Sequence, residues 1–222
     1  MDLELVLFKT CPFAQRVVIV LDHLEIPYRK TIISPGDRPD WLLECAPMGQ
    51  VPVLRINGDR ALFDSVAIAE FANDHADGNL LSSDHVQRGM ERAIVEWAGT
   101  CQRAFGECIA AEDESAWHRQ LADLTTKLYW VEKLAHPSGP WLMGEGFTLA
   151  DAAMAPLFMR MRALQKKVVC FNAEATPNMV RAMEKILAME VVARSVEGDF
   201  DRMFRMMVRG RAKGGYVDSL MG

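Results

Sequence analysis

The 222-residue chain predicts a two-part protein, an α/β first third followed by an all-α remainder. Three observations carry this reading. Short β-branched runs alternate with helix-periodic runs up to about residue 75, a Gly/Asp/Ser segment occupies residues 76–84, and helical periodicity dominates from residue 85 onward. Half of the residues are hydrophobic, enough for one large core or two modest ones at about 100–200 residues per domain. We therefore expect an α/β domain at 1–75, a linker at 76–84 and an all-helical domain at 85–222.

Leu3–Phe8 reads as a short buried strand. The turn Lys9-Thr10-Cys11-Pro12 follows, then an apolar run at helical spacing through Val17, Val18, Val20, Leu21 and Leu24. Pro12 suits the first turn of that helix, where its missing N–H would have had no partner. Ile26-Pro27 ends the helix, and the β-branched residues of 28–33 return as a second strand, parallel to the first in a βαβ unit. A polar stretch at 34–39 leads to a short helix around Trp41-Leu42-Leu43. Residues 51–56 and Arg60–Phe63 flank Asn57-Gly58, the strongest hairpin signal in the chain. Asp64-Ser65 precedes Val66, Ile68, Ala69 and Phe71, an N-cap opening an amphipathic helix.

Beyond the linker, helices are expected at 85–110, 115–135, 148–165, 177–188 and 190–208. His136-Pro137-Ser138-Gly139-Pro140 is a firm break, and Thr148-Leu149-Ala150-Asp151 has the form of a capping box, with Phe147 ahead of it. Arg202, Arg205, Arg209, Arg211 and Lys213 read as a solvated helix face, and Gly214-Gly215 as a joint before the anchor Tyr216-Val217.

The formal charge of −5 provides no basic field for nucleic acid or an anionic membrane, so neither is an expected partner. The start, with Asp2 and Glu4, carries no basic leader, and no apolar run approaches the roughly 18–20 residues of a membrane span, so a cytoplasmic location is expected. The five cysteines, at 11, 45, 101, 108 and 170, include no C-x-x-C pair, and the five histidines have no ligand spacing. Reduced thiols are expected, without a disulfide framework or a bound metal. Cys101 and Cys108, seven apart on one helix near Trp97 and Phe105, suit apolar core better than a pocket wall.

Cys11 is the one strong nucleophile candidate. A helix N-terminus stabilises a thiolate through its free N–H groups and the positive end of its dipole, and Arg16 follows one turn later. Such a position can bring the thiol pKa toward ambient pH without a dedicated base. It equally suits a small buried cysteine. Ala14 stands where dithiol chemistry needs a second cysteine, so a group taken up by Cys11 must be released by an external thiol such as glutathione.

Residues 8–16 (Phe-Lys-Thr-Cys-Pro-Phe-Ala-Gln-Arg), Ile26-Pro27-Tyr28, the stretch 46–54 (Ala-Pro-Met-Gly-Gln-Val-Pro-Val-Leu) and Phe63-Asp64-Ser65 together resemble the glutathione transferase superfamily. Cys11-Pro12-Phe13 at the first helix is most similar to the cysteine-type, omega-like classes, and residues 147–151 resemble the capping motif of that family's helical domain. The resemblance implies a thioredoxin-like glutathione-binding domain and a helical acceptor-site domain. It places the Val51 backbone against the cysteinyl part of glutathione, with Pro52 in the cis form. It gives Ser65 the γ-glutamyl carboxylate at a helix N-terminus and Asp64 the ammonium of the same moiety. Asp64 departs from the commoner Glu and is shorter by one methylene. Arg38 would pair with the glycyl carboxylate, and Phe13 would pack beside the glutathione sulfur.

The omega resemblance implies thioltransferase and dehydroascorbate-reductase-like activity through a Cys11–glutathione intermediate, with a small electrophile or mixed disulfide as partner and a homodimer as the assembly. Conjugation of aryl halides is expected to be weak, because it needs a donor hydroxyl beside glutathione's own thiolate. Two alternatives remain at this level, a non-catalytic binding or stress-response module of the same fold and a maleyl-type isomerase.

Overall fold

A computed structural model describes residues 1–212 and 214–221. Lys213, the last member of the basic run, and Gly222 lie outside the described residues.

The first half runs β1 (Leu3–Phe8), α1 (Pro12–His23), β2 (Arg29–Ile33), α2 (Asp40–Cys45), a single 3-10 turn (Pro47–Gly49), β3 (Val53–Ile56), β4 (Arg60–Phe63) and α3 (Ser65–His75). This is the element order read from the sequence. The sheet order is β2-β1-β3-β4, with β1 parallel to β2 and antiparallel to β3, and β3 antiparallel to β4. The continuous apolar character of β1 follows from its central place, because both of its faces are covered. Leu3, Leu5 and Leu7 point into the large core with α1, whereas Val6 joins Val53 against Leu42 of α2 on the other face. Asn57 and Gly58 both adopt positive φ, 52° and 81°, the conformation that makes Asn-Gly a hairpin signal.

The second half comprises α4 (His85–Ile109), α5 (Glu114–Leu134), α6 (Leu149–Gln165), α7 (Pro177–Leu187), α8 (Glu190–Arg194), α9 (Phe200–Ala212) and α10 (Tyr216–Met221). The helix expected over 190–208 is two helices. Gly198 takes φ 82° and Asp199 caps α9, its Oδ1 accepting from the Arg202 N–H at 3.0 Å. Gly198-Asp199 was the local signal that outranked the helical periodicity. Tyr216-Val217 does anchor the C-terminal end. The Tyr216 N–H donates to the Ala111 carbonyl at 3.2 Å, and Val217 is fully buried.

Segment 76–84 is held at several points. The Leu80 N–H donates to Asn73 Oδ1 at 2.9 Å, the Leu80 carbonyl accepts from the Leu149 N–H at 2.9 Å, and the Ser82 N–H donates to the buried Glu91 carboxylate at 2.8 Å. One hydrophobic cluster extends from Leu3 to Met221, and α1 packs on both α3 and α6. Cys101, Cys108 and Cys170 are fully buried in that cluster, each thiol pushed up to about 12 by burial. No described helix is long and apolar enough to cross a membrane.

Candidate active site

The site forms where the C-terminal end of β1 feeds the N-terminus of α1. Cys11 is the N-cap residue, its backbone extended, and its N–H donates to the Phe8 carbonyl at 3.0 Å to close the turn. The thiol faces the loop ahead of β3, with Sγ 3.8 Å from the Val51 carbonyl oxygen. The Val51–Pro52 peptide is cis, as the resemblance implied and as Val-Pro alone would not have suggested. Asp64 sits at φ 72°, a conformation uncommon outside glycine, and its Oδ1 accepts from the Val66 and Ala67 N–H groups at 2.8 and 3.2 Å. That geometry turns the chain from β4 into α3 and leaves the Ser65 N–H as the first of the helix.

All seven residues singled out from the sequence, Cys11, Phe13, Arg38, Val51, Pro52, Asp64 and Ser65, line one cleft of about 490 Å³. Arg38 reaches over the 3-10 turn, its Nη1 donating to the Met48 carbonyl at 3.3 Å and its guanidinium lying 5.5 Å from the Phe8 ring centre. Arg103 of α4 lines the same cleft. A second cleft of about 510 Å³ opens on the other side of Cys11 between the two halves of the chain, and it contains Gln102, Arg103, Phe105, Arg160 and Arg211.

Beneath Cys11 lies a polar network that the sequence reading did not anticipate. Arg160 of α6 is 2 % exposed, and among the described residues no carboxylate lies within 4.0 Å of its guanidinium. Its Nη2 donates to the Thr10 carbonyl at 2.9 Å, and its Nη1 donates to Gln15 Oε1 and to the Pro156 carbonyl, both at 2.7 Å. Gln15 passes the connection on, its Nε2 donating to Ser195 Oγ at 2.8 Å. The only hint was a single arginine in the apolar run 152–161, where helix periodicity cannot tell a buried cation from an exposed one. Arg16 is also buried, with its guanidinium 5.1 Å from the Phe13 ring centre.

The thiol electrostatics correct one expectation. Burial pushes the Cys11 pKa above its ordinary value, and the Ala14 and Phe13 N–H groups, Arg160 and Arg16 pull it down without prevailing. The helix N-terminus therefore acts as predicted in sign, but desolvation outweighs it. The two arginines feel the same burial, each lowered to about 10, and both keep their charge at neutral pH.

Comparison with known proteins agrees with this architecture. The family model for the glutathione S-transferase N-terminal domain matches residues 10–75, and that for the C-terminal domain matches residues 106–190. Pyrimidodiazepine synthase of Drosophila melanogaster is 32% identical over 153 residues, covering 63% of each chain. Glutathione S-transferase DHAR2 of Arabidopsis thaliana is 27% identical over 148 residues, covering 66% of this chain and 64% of the relative. The chain thus spans less than two thirds of the length of these curated relatives. The crystal structure of glutathione transferase Omega 3C from Trametes versicolor superposes with a TM-score of 0.80 at 24% identity, covering 96% of this chain and 93% of the other. Both domain models of one family match, over more than half of the residues and in the observed order, so this chain belongs to the glutathione S-transferase family.

Proposed function

We propose that the protein is a glutathione-dependent thiol transferase and reductase of omega-like type, working through a covalent Cys11–glutathione intermediate. The observation that carries this reading is convergence. Four separate stretches of sequence bring a lone nucleophile, a cis X-Pro loop, a helix N-terminus with a carboxylate, and a guanidinium into one cleft. The similarity to transferases of the omega and DHAR types supports the same chemistry.

In this mechanism the Val51 backbone pairs with the cysteinyl unit of glutathione, and the Ser65 N–H and hydroxyl take the γ-glutamyl carboxylate at the positive end of α3. Asp64 meets the ammonium, Arg38 pairs with the glycyl carboxylate, and Phe13 packs beside the sulfur. The Cys11 thiolate attacks the glutathionyl sulfur of a mixed disulfide. The Cys11–S–SG bond forms, the old S–S bond breaks, and the acceptor thiolate leaves to be protonated by solvent. A second glutathione thiolate then attacks the glutathionyl sulfur, Cys11 departs as thiolate, and oxidised glutathione is released. No metal enters the scheme.

Intact-mass analysis after incubation with oxidised glutathione tests this directly. Wild type should gain one glutathionyl group that reduced glutathione removes, and Cys11→Ala should gain none. An adduct that persists in Cys11→Ala, or none on wild type, would discard the mechanism and favour a non-catalytic binding module of this fold or the isomerase reading.

We further propose domains at 1–75 and 85–222, a cytoplasmic setting that keeps the five thiols reduced, and a homodimer. Met48 and Phe63 at 79% and 49% exposure, with Val86 and Met90 at 76% and 39%, supply exposed apolar surface for a second copy. Light scattering should report twice the 24.9 kDa chain mass, and Phe63→Lys should shift it toward the monomer. A wild-type monomer at all concentrations would remove the dimer.

A further inference from the structure

We infer that the cleft on the far side of Cys11 binds a carboxylate-bearing acceptor, held by Arg211, with Arg103 adding positive charge to the same wall. This inference rests on the thiol-transfer reading and names the substrate class for that reaction.

The cleft is lined by four charged residues, Arg103, Arg160, Arg211 and Glu107, with Cys11 at its base. The chain as a whole carries −5, so this is a local reversal of sign. Arg160 is committed to the Thr10, Gln15 and Pro156 oxygens. Arg103 and Arg211 are exposed to the cleft. Among the described residues, Arg103 donates to Thr100 Oγ1 at 3.2 Å, and neither guanidinium has a carboxylate within 4.0 Å, although Glu107 lines the same cleft.

Both cations lie along α4. Arg211, from the end of α9, lays its head over Gly106 of α4, where a Cβ would sit 2.8 Å from Nη1. Any side chain at 106 would push that guanidinium out. Residues 103 and 106 stand three apart on α4 and so share a face. The Arg103 head turns back along α4, its Nη1 3.5 Å from where a Cβ on Gly99 would sit, so the two guanidiniums stand along the helix, one over Gly99 and one over Gly106. The Arg211 fork matches the planar, bidentate geometry of a carboxylate, and Arg103 adds a second positive charge to the same wall. Arg211 also weighs against the Arg160 charge, and Arg103 against that of Arg16, so the repulsion reaches the groups below Cys11.

The rest of the wall fits the body of such a molecule. Phe8 and Phe13 give flat apolar surface. Gln102 is 9 % exposed and, among the described residues, its Oε1 is buried with no hydrogen-bond partner. A donor on the acceptor would satisfy it. The bound molecule would then present its disulfide to Cys11 from the side opposite Asp64 and Ser65.

Isothermal titration calorimetry with two thioether probes tests this without turnover. S-(para-carboxybenzyl)glutathione and its neutral carbamoyl analogue differ only in the charged group. Wild type should bind the acid about tenfold more tightly, the increment of one charge-assisted contact. Arg211→Gln should remove most of that preference while leaving the amide affinity unchanged, which also reports an intact fold. Equal binding of the two probes to wild type, or a preference that survives Arg211→Gln, would overturn the proposal and leave the glutathione reading standing. No binding of either probe would sink the glutathione reading and this inference with it. Oxidised glutathione binding as tightly as the acid, with the same loss in Arg211→Gln, would support the carboxylate site and identify a second glutathione as its source.

Discussion

Cys11→Ser is expected to lower kcat/KM for glutathionyl mixed disulfides by at least about a thousandfold, the scale on which enzymes lose a covalent nucleophile. Glutathione affinity should barely change, because the polar contacts proposed to hold glutathione come from other elements: Val51 before β3, Asp64 and Ser65 at α3, and Arg38 ahead of α2. A hydroxyl cannot take the place of the thiol, since it neither ionises at working pH nor leaves readily when a second thiol attacks. Single-turnover kinetics with a mixed disulfide, set beside glutathione binding by calorimetry, separates the two effects. Residual turnover within about tenfold of wild type would mean that glutathione itself carries the chemistry and Cys11 only packs.

The pH dependence of the wild-type thiol gives a second readout of the same site. Burial raises the Cys11 pKa above the ordinary 9.0, so alkylation by iodoacetamide should keep rising as pH passes that value, with no plateau near neutrality. The cations beside the sulfur are buried too, and their pull is offset by the loss of water around the thiolate. A plateau near neutral pH would show that Arg160, Arg16 and the helix N-terminus outweigh desolvation.

The first half of this fold was legible because each element carries its own local punctuation. Pro12 opens α1, Asn57-Gly58 turns the hairpin, and Asp64 caps α3, so short-range chemistry alone sets the order of elements. The proposed glutathione-site residues were legible for the same reason, each sitting at an element end, although the cis form of Pro52 came only from the resemblance. The acceptor side was not legible. Arg103, Arg160 and Arg211 lie within helices, at positions where a periodic pattern predicts only a face. What turns them toward Cys11 is the docking of α4, α6 and α9, a property of contacts between segments some 50 residues apart or more. Arg211 was read as one member of a solvated basic face. Its neighbours Arg202, Arg205 and Arg209 are exposed as that reading requires, and Gly106 on α4 is what sets Arg211 apart.

Asp151→Ala should cost about 3 kcal/mol of stability at neutral pH, the largest loss expected from a polar substitution outside the clefts. Asp151 is fully buried at the start of α6 and serves three donors. Its Oδ1 accepts from the Leu142 N–H at 2.9 Å, and its Oδ2 accepts from the Thr148 N–H and Oγ1, each at 2.8 Å. Those bonds pin residues 141–148 onto the helix that carries Arg160, so their loss orphans the buried Leu142 N–H and the part-buried Thr148 N–H and loosens the support below Cys11. Burial pushes the Asp151 carboxyl up to about 6 from its ordinary 3.8, with the three donors opposing. Between those two values the folded chain binds more protons than the unfolded one, so wild-type stability should fall as pH rises from about 4 to about 6. Asp151→Ala lacks this component. Its penalty should therefore be larger at pH 5 than at pH 7, as urea denaturation followed by circular dichroism would show. A penalty that grows with rising pH would mean that the donors, not burial, dominate this carboxylate, and that its folded pKa lies below the unfolded one.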